Sequence, residues 1–153
     1  MQHILVIEDQ ADIGSLVQTA LEENDAFRVS CASTGDDALP QLDDAPPDLV
    51  ILDILMPGMH GLELAAHACA RGIPLVLMTG EPTMVTMLQN LACPHLQKPF
   101  GLEQLSAAVC TALDDADENT RAIRAVLERL LASADASAEL LQRVRAIMEQ
   151  AHG

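Results

Sequence analysis

Five short apolar runs, each followed by a segment with helical spacing, constrain the fold of this chain more than any other feature. The runs cover residues 3–7, 27–32, 48–52, 74–78 and 95–97. Short continuous apolar runs rich in β-branched side chains are typical of buried strands. Strands that alternate with helices predict a parallel sheet with helices on both faces and right-handed crossovers.

The segments between the runs carry apolar residues at the spacing of amphipathic helices. This spacing predicts helices over residues 12–24, 61–71, 82–91 and 101–113. The segment 35–45 has a similar pattern, but Pro40 predicts an interruption because proline lacks the amide hydrogen that a helix needs. Gly72 is suited to end the third helix. We therefore expect residues 1–113 to form one doubly wound α/β domain.

Beyond residue 113 the pattern is purely helical. Residues 114–119 predict an acidic break, and residues 133–137 predict a turn between two apolar helical stripes. Each stripe spans about four turns, which is too short for a stable isolated helix in water. The stripes must pack on each other, on the preceding domain or on another chain. We therefore expect residues 114–153 to form a helical hairpin that serves dimerisation or partner docking.

The composition narrows the classes of function. The net charge is −15, and the only aromatic side chains of the Phe, Tyr and Trp types are two phenylalanines. Neither property suits a nucleic-acid surface, which needs clustered cations and stacking platforms. The four cysteines form no closely spaced pair, no apolar run approaches the roughly 18 residues of a membrane span, and the N-terminus lacks a signal peptide. We expect a soluble cytoplasmic protein with no membrane partner, either whole or as part of a longer regulator.

Charged and hydroxyl side chains follow four of the five predicted strands. Glu8 and Asp9 come after the first strand, Asp53 after the third, Thr79 after the fourth, and Lys98, the only lysine, after the fifth. The strands of a parallel sheet end at one crevice, where ligands bind. The sequence therefore predicts that three carboxylates, a hydroxyl and one ammonium share this crevice.

Three clustered carboxylates repel one another unless a cation compensates their charge. A hard divalent ion such as Mg²⁺ (or Mn²⁺) prefers oxygen ligands and often shares a phosphate. A carboxylate such as that of Asp53 can also act as a nucleophile and become an aspartyl phosphate. A metal ion and the Lys98 ammonium would stabilise the charge of the transferring phosphoryl group.

These residues resemble the receiver domain of two-component response regulators, the CheY-like family. The resemblance covers about residues 1–113 and includes the Glu8-Asp9 pair, the segment 53–61, Thr79-Gly80 and Lys98-Pro99. It implies a flavodoxin-like sheet of strand order 2-1-3-4-5. It also implies that a histidine kinase or phosphotransfer protein phosphorylates Asp53, with Lys98 and Thr79 as the other catalytic residues.

The resemblance implies further roles around the crevice. Glu8, Asp9, Asp53 and the backbone carbonyl of Leu55 would hold Mg²⁺. Thr79 and His95 would be the switch residues, although the family often has Tyr or Phe where this chain has His95.

The resemblance also bears on the lifetime of the phosphoryl group and on the binding of an output partner. Leu55 and Glu81 occupy the positions that tend to set phosphoryl lifetime in this family. Since the apolar Leu55 cannot orient an attacking water, we hypothesise slow self-dephosphorylation. The segment between Thr79 and Lys98 is also shorter than is usual in the family, so the geometry of partner binding should be unusual.

The sequence thus predicts a signalling switch rather than an ordinary enzyme, one that catalyses only its own phosphorylation and dephosphorylation. Phosphorylation would change the affinity for a partner protein or for a second copy. The contact would use the C-terminal extension or the face formed by the fourth helix, fifth strand and fifth helix. Two alternatives stay open: a phosphorylation-independent interaction module and an aspartyl-phosphate phosphatase. The phosphatase is disfavoured because such enzymes need a second acid where Leu55 stands.

Overall fold

Five strands and seven helices make up the part of the chain that the structure, a computed structural model, describes: residues 1–54, 61–132 and 138–150. The strands are β1 (Gln2–Ile7), β2 (Phe27–Ala32), β3 (Leu49–Asp53), β4 (Leu75–Thr79) and β5 (His95–Gln97). The helices are α1 (Ala11–Glu22), α2 (Gly35–Asp44), α3 (Gly61–Ala70), α4 (Pro82–Asn90), α5 (Leu102–Asp114), α6 (Ala116–Leu131) and α7 (Ala138–Gln150). None of these helices combines the length and apolarity needed to span a membrane.

The strands form one parallel sheet in the order β2-β1-β3-β4-β5, so the predicted topology is confirmed. Ile7 of β1 lies opposite Leu52 of β3, and Leu52 lies opposite Leu77 of β4. This register brings the ends of the three central strands level with one another. The residues that end or follow these strands therefore meet at one edge of the sheet.

Helices cover both faces of the sheet, as predicted. Alternate residues of β1 enter different cores: Ile4 and Val6 pack with α1 and α5, whereas Leu5 and Ile7 pack on the opposite face. That opposite core contains side chains of α2, α3, α4, α6 and α7. The alternation follows from the two-residue period of a strand, and burial on both faces explains the continuous apolar runs.

Proline and glycine have different effects on the helices. The helix α2 runs through Pro40, so the predicted interruption is wrong. Ala38 and Leu42 of this helix are fully buried, and their packing offsets the hydrogen bond that Pro40 cannot donate. Gly72, the second residue after α3, has a positive φ of 70°, which confirms that the chain leaves the helix there. A side chain at Gly61 would collide with the Ile54 carbonyl, so only glycine fits where α3 begins.

The predicted acidic break over residues 114–119 is wrong, because a single residue separates α5 from α6. The carboxylate of Asp115 accepts a hydrogen bond from the Glu118 amide and caps α6. Asp117 and Glu118 occupy the first turn of this helix, where acidic side chains interact favourably with the helix dipole. The acidic run therefore starts a helix instead of interrupting one.

The C-terminal helices pack on the α/β domain, which is one of the three arrangements that the stripes allowed. Both α6 and α7 contact α3. Ile123, Val126, Leu127 and Val144 are each at most 1% exposed and belong to the core that covers this face of the sheet. The turn predicted over residues 133–137 lies outside the described residues. Dimerisation or partner docking by this extension stays a prediction.

Asn119 joins α6 to the sheet through two buried hydrogen bonds. The Leu75 amide donates to Asn119 Oδ1 at 2.7 Å, and Asn119 Nδ2 donates to the Leu75 carbonyl at 2.8 Å. The short strand β5 pairs with β4 only from Leu77 onward. The side chain of Asn119 thus completes the hydrogen bonding of β4 where β5 has not yet begun. A second link joins Arg143 of α7 to Glu63 of α3, with 2.9 Å between Nη2 and Oε1.

We expect Asn119→Ala to lower the free energy of unfolding by about 2 kcal/mol or more, because two buried backbone groups lose their partners. Urea unfolding of the full chain at neutral pH measures this loss. Asn90→Ala, at an exposed position of α4, is the matched control and should change stability little. Equal losses in the two variants would contradict the anchoring role of Asn119.

Candidate functional site

Three carboxylates meet at the edge of the sheet where the parallel strands end. Glu8 and Asp9 follow β1, and Asp53 is the last residue of β3. One carboxylate oxygen from each of the three lies within 4.8 Å of those from the other two. Glu8 and Asp53 are buried, whereas Asp9 is exposed. Two carboxylates of the cluster are therefore buried, and the third leaves one side of the cluster open to solvent.

Lys98 bridges two of these carboxylates. Its Nζ donates to Glu8 Oε2 at 2.6 Å and to Asp53 Oδ2 at 2.9 Å. The Lys98 amide also donates to the Thr79 carbonyl at 2.9 Å, which extends the contact between the ends of β5 and β4. The Lys98–Pro99 peptide bond is cis. The sequence expectation that Lys98 and Asp53 lie at the same end of the sheet agrees with this geometry.

Burial and pairing shift the proton affinities in this crevice. Burial raises the pKa of Glu8 from its ordinary 4.5 to about 6, against the lowering effect of its hydrogen bond with Lys98. Glu8 Oε1 also accepts a hydrogen bond from the Gln10 amide at 3.2 Å. For Lys98, burial works to lower the pKa, but the bonds to Glu8 and Asp53 outweigh it and raise the pKa above its ordinary value. Lys98 is therefore a cation at neutral pH.

Thr79 and Glu81 form one hydrogen-bonded turn at the start of α4. Thr79 is 1% exposed, and its Oγ1 accepts a hydrogen bond from the Glu81 amide at 3.1 Å. The Glu81 carboxylate accepts from the amides of Thr83 and Met84 and caps the helix. These bonds to Met84 and Thr83 lower the pKa of Glu81. The Thr79 hydroxyl is thus tied to the backbone of the following helix.

His95 lies in β5 beside Leu77 and is partly exposed. Its Nδ1 donates a hydrogen bond to the Cys93 carbonyl at 2.8 Å. This bond joins the ring to the segment that precedes β5. The switch role expected for His95 stays a prediction. Leu55, expected as a carbonyl ligand and as a determinant of phosphoryl lifetime, lies outside the described residues.

Two exposed leucines, in α1 and α5, differ from what the helical periodicity indicates. Leu16 of α1 fits an apolar stripe by spacing but is 61% exposed, and Leu102, the first residue of α5, is 58% exposed. The helices α1 and α5 share one face of the sheet. Which side chains of an apolar stripe are exposed depends on the segments that pack against the helix. Periodicity alone therefore could not predict the exposure of these two leucines.

The donor set fits a hard divalent cation. All three clustered side chains offer carboxylate oxygens, and the exposed Asp9 leaves room for water ligands. Mg²⁺ prefers oxygen ligands and keeps several waters, so carboxylates with an open side suit it. Lys98 supplies the positive charge that offsets Glu8 and Asp53 in the metal-free protein.

Comparison with known proteins agrees with this arrangement. The family model described as the response regulator receiver domain matches residues 4–110, which is more than half of the chain. The chain belongs to the response regulator receiver family. Receivers of this family act as signalling switches in two-component systems, and the sheet order of the present receiver is CheY-like.

Curated relatives are longer than this receiver. The phosphate regulon transcriptional regulatory protein PhoB of Klebsiella pneumoniae is 36% identical over 115 residues, covering 71% of this chain and 50% of PhoB. The DNA-binding response regulator MtrA of Mycolicibacterium paratuberculosis is 31% identical over 121 residues, covering 76% of this chain and 53% of MtrA. The chain thus spans about half the length of the curated relatives it matches.

Solved structures share the receiver fold. The receiver domain of NtrX from Brucella abortus is 30% identical with a TM-score of 0.63, covering 72% of this chain and 98% of that domain. The chemotaxis protein CheY4 of Vibrio cholerae is 26% identical with a TM-score of 0.63, covering 74% and 99%. The match to a longer structure of NtrX from Brucella abortus covers 92% of this chain and 32% of that structure's chain. The identity is 26% and the TM-score is 0.66. The last match extends into the C-terminal helices.

The raised pKa of Glu8 predicts a pH dependence of stability. The folded protein holds this proton more tightly than the unfolded chain, so the resulting stabilisation is complete below about pH 4.5 and is lost as the pH rises through about 6. In chelator, the free energy of unfolding of the wild type should therefore fall across this window relative to that of Glu8→Gln. Urea unfolding at several pH values measures the difference.

The matched control for this measurement is Glu128→Gln, at an exposed position of α6. Its stability should follow that of the wild type across the same pH window. Parallel curves for the wild type and Glu8→Gln would show that Glu8 gains no proton affinity on folding.

Proposed function

We propose that this receiver is a phosphorylation-dependent switch in which Asp53 accepts a phosphoryl group from a histidine kinase or phosphotransfer protein. The observation that carries the proposal is the Lys98 ammonium within hydrogen-bond distance of both Glu8 and Asp53 at the open edge of the sheet. Asp53 is a buried carboxylate that accepts a hydrogen bond from the Lys98 ammonium and lies next to the oxygens of Glu8 and Asp9. Such a carboxylate is suited to attack phosphorus. Family membership supports the same reading.

The chemistry needs little from the protein beyond position and charge. A carboxylate oxygen of Asp53 forms a bond to phosphorus while the bond from phosphorus to the donor's nitrogen breaks. The donor nitrogen keeps the electron pair and takes a proton from solvent. Lys98 holds Asp53 in place and supplies a positive charge next to the phosphoryl oxygens as their charge develops. Glu8 in turn holds Lys98.

Glu8, Asp9 and Asp53 are the residues that would hold Mg²⁺ or Mn²⁺ in this proposal. When bound, the ion would neutralise the carboxylates and offset the charge of the phosphoryl oxygens. The exposed position of Asp9 supports entry of the ion from solvent. The raised pKa of Glu8 means that a proton competes with the ion below about pH 6.

The exposed leucines Leu16 and Leu102 support a protein as the phosphoryl donor. They lie in the first half of α1 and at the start of α5, two helices on the same face of the sheet. Both helices begin just after the strand ends that carry the acidic cluster and Lys98. A partner that presents a phosphohistidine to Asp53 would contact these apolar side chains.

In the proposed switch, Thr79 responds to the new phosphoryl group. Its hydroxyl oxygen accepts a hydrogen bond from the Glu81 amide at 3.1 Å, and a rotation of the side chain toward the phosphoryl oxygens would break this bond. The exchange of one hydrogen bond for another would change the position of the start of α4. The phosphoryl group shifts the equilibrium between the two positions only to the extent that it interacts more favourably with one of them. The output would be altered affinity for a protein partner or a second copy. The charge of −15 supports an output without nucleic-acid contact by this chain.

We expect the full chain to gain one phosphoryl group when incubated with phosphoramidate and Mg²⁺, and Asp53→Asn to gain none. Intact-protein mass spectrometry measures the modification. Asp36→Asn, at an exposed acid in the first turn of α2, is the matched control and should be modified like the wild type. If the wild type stays unmodified, the chain is instead a phosphorylation-independent interaction module. Steady release of phosphate from an ester substrate would favour the phosphatase reading.

Replacing Lys98 with methionine should slow phosphorylation about a hundredfold, because one preorganised charge at the transferring group is lost. The rate of mass increase under the same conditions measures the effect. Arg28→Met, an exposed cation on β2, is the control for the loss of one positive charge. Equal rates in the Lys98→Met variant and the wild type would remove Lys98 from the proposed chemistry.

A further inference from the structure

We infer that the last turn of α6 is where the phosphorylation state of the crevice reaches the C-terminal helices, through the start of α4. This inference rests on the proposed function and deepens it by naming the element of the same chain that responds. It follows from side chains of α4 and of the end of α6 that line one cavity and pack against the same core, and from the anchoring of the other end of α6.

Two hydrogen bonds join the crevice to the start of α4. Thr79 Oγ1 accepts from the Glu81 amide at 3.1 Å, and Glu81 Oε2 accepts from the Met84 amide at 2.8 Å. Glu81 is thus bonded through its backbone to the switch hydroxyl and through its side chain to the first turn of α4. When the Thr79 hydroxyl leaves this turn, Glu81 and the start of α4 lose the bond that holds them to the end of β4.

A cavity of about 460 Å³ separates the start of α4 from the end of α6. Glu81, Met84 and Met87 line it from one side, and Arg129 and Leu130 line it from the other. The unbranched methionines can adopt several conformations as the space changes shape. The acidic Glu81 and the basic Arg129 line the same cavity. The start of α4 therefore has room to move against this part of α6.

The opposite end of α6 has no such freedom. Asn119 is bonded to both backbone groups of Leu75 at 2.7 and 2.8 Å, and Ile123 is 1% exposed in the core. Val126 and Leu127 are equally buried. By contrast, Arg129 and Ala132 are exposed and Leu130 is only partly buried. The end of α6 that faces α4 across the cavity is thus the end that the core holds least.

Backbone amide NMR of the full ¹⁵N-labelled chain tests this inference, before and after phosphorylation with phosphoramidate and Mg²⁺. We expect chemical-shift changes in α4 to continue into residues 129–132, while residues 119–123 change much less. Asp53→Asn under the same conditions should show neither change. Changes confined to the crevice and α4, or equal changes along all of α6, would overturn the inference.

Two adjacent leucines provide a matched pair for the same measurement. Leu130 lines the cavity toward α4, whereas Leu131 is partly buried against the core and does not line it. Leu130→Ala should reduce the response of residues 129–132 to phosphorylation, and Leu131→Ala should keep it. Equal responses in both variants would contradict transmission through the cavity.

Mass spectrometry of the same samples separates the two hypotheses. If Asp53 carries the phosphoryl group and α4 responds while the end of α6 does not, the relay is wrong and the proposed switch stands. If Asp53 is not modified, the proposed function is wrong and the relay is wrong with it.

Discussion

The bridge from Lys98 to Glu8 and Asp53 is the interaction on which the crevice depends. A parallel sheet whose central strands end level with one another brings Glu8 and Asp53 together, and two buried acids in contact repel each other. The single lysine of the chain offsets this repulsion with hydrogen bonds of 2.6 and 2.9 Å. The same arrangement leaves an acidic, partly open site that suits a divalent ion and a phosphoryl group. The Lys98 ammonium therefore offsets the repulsion between the two buried acids and also supplies the positive charge that the proposed chemistry needs.

The C-terminal helices are part of the same structure rather than a separate appendage. The stripe that begins at Ile123 continues the core on one face of the sheet, and Asn119 takes the place that a longer β5 would occupy beside Leu75. The ion pair between Glu63 and Arg143 adds a link from α3 to α7. An α3 that contacts these helices on its outer side is less available to other proteins. The response that we propose is therefore placed at α4 and the end of α6, away from α3.

Much of the fold was predictable because its signals are local. The apolar runs identified all five strands, and β2 and β5 have the predicted bounds. Errors arose where a local rule competed with packing: Pro40 does not interrupt α2, since Ala38 and Leu42 are buried, and the acids after residue 113 start α6. The identities and grouping of Glu8, Asp9, Asp53 and Lys98 followed from their positions after strands. The bonds of Asn119 were missed, although it lies four residues before Ile123 on the same helical face.

The sequence by itself determined the class of fold and the residues that follow the strands, because apolar periods and the alternation of strands with helices are local along the chain. Only the tertiary structure decided which carboxylates Lys98 bonds, because that depends on distances between strands up to 90 residues apart. It also decided that α6 and α7 pack on α3 and that Leu16 stays exposed. An apolar stripe in the sequence predicts that one face of a helix is buried. What covers it is settled by the shape and hydrogen-bonding needs of segments distant in sequence.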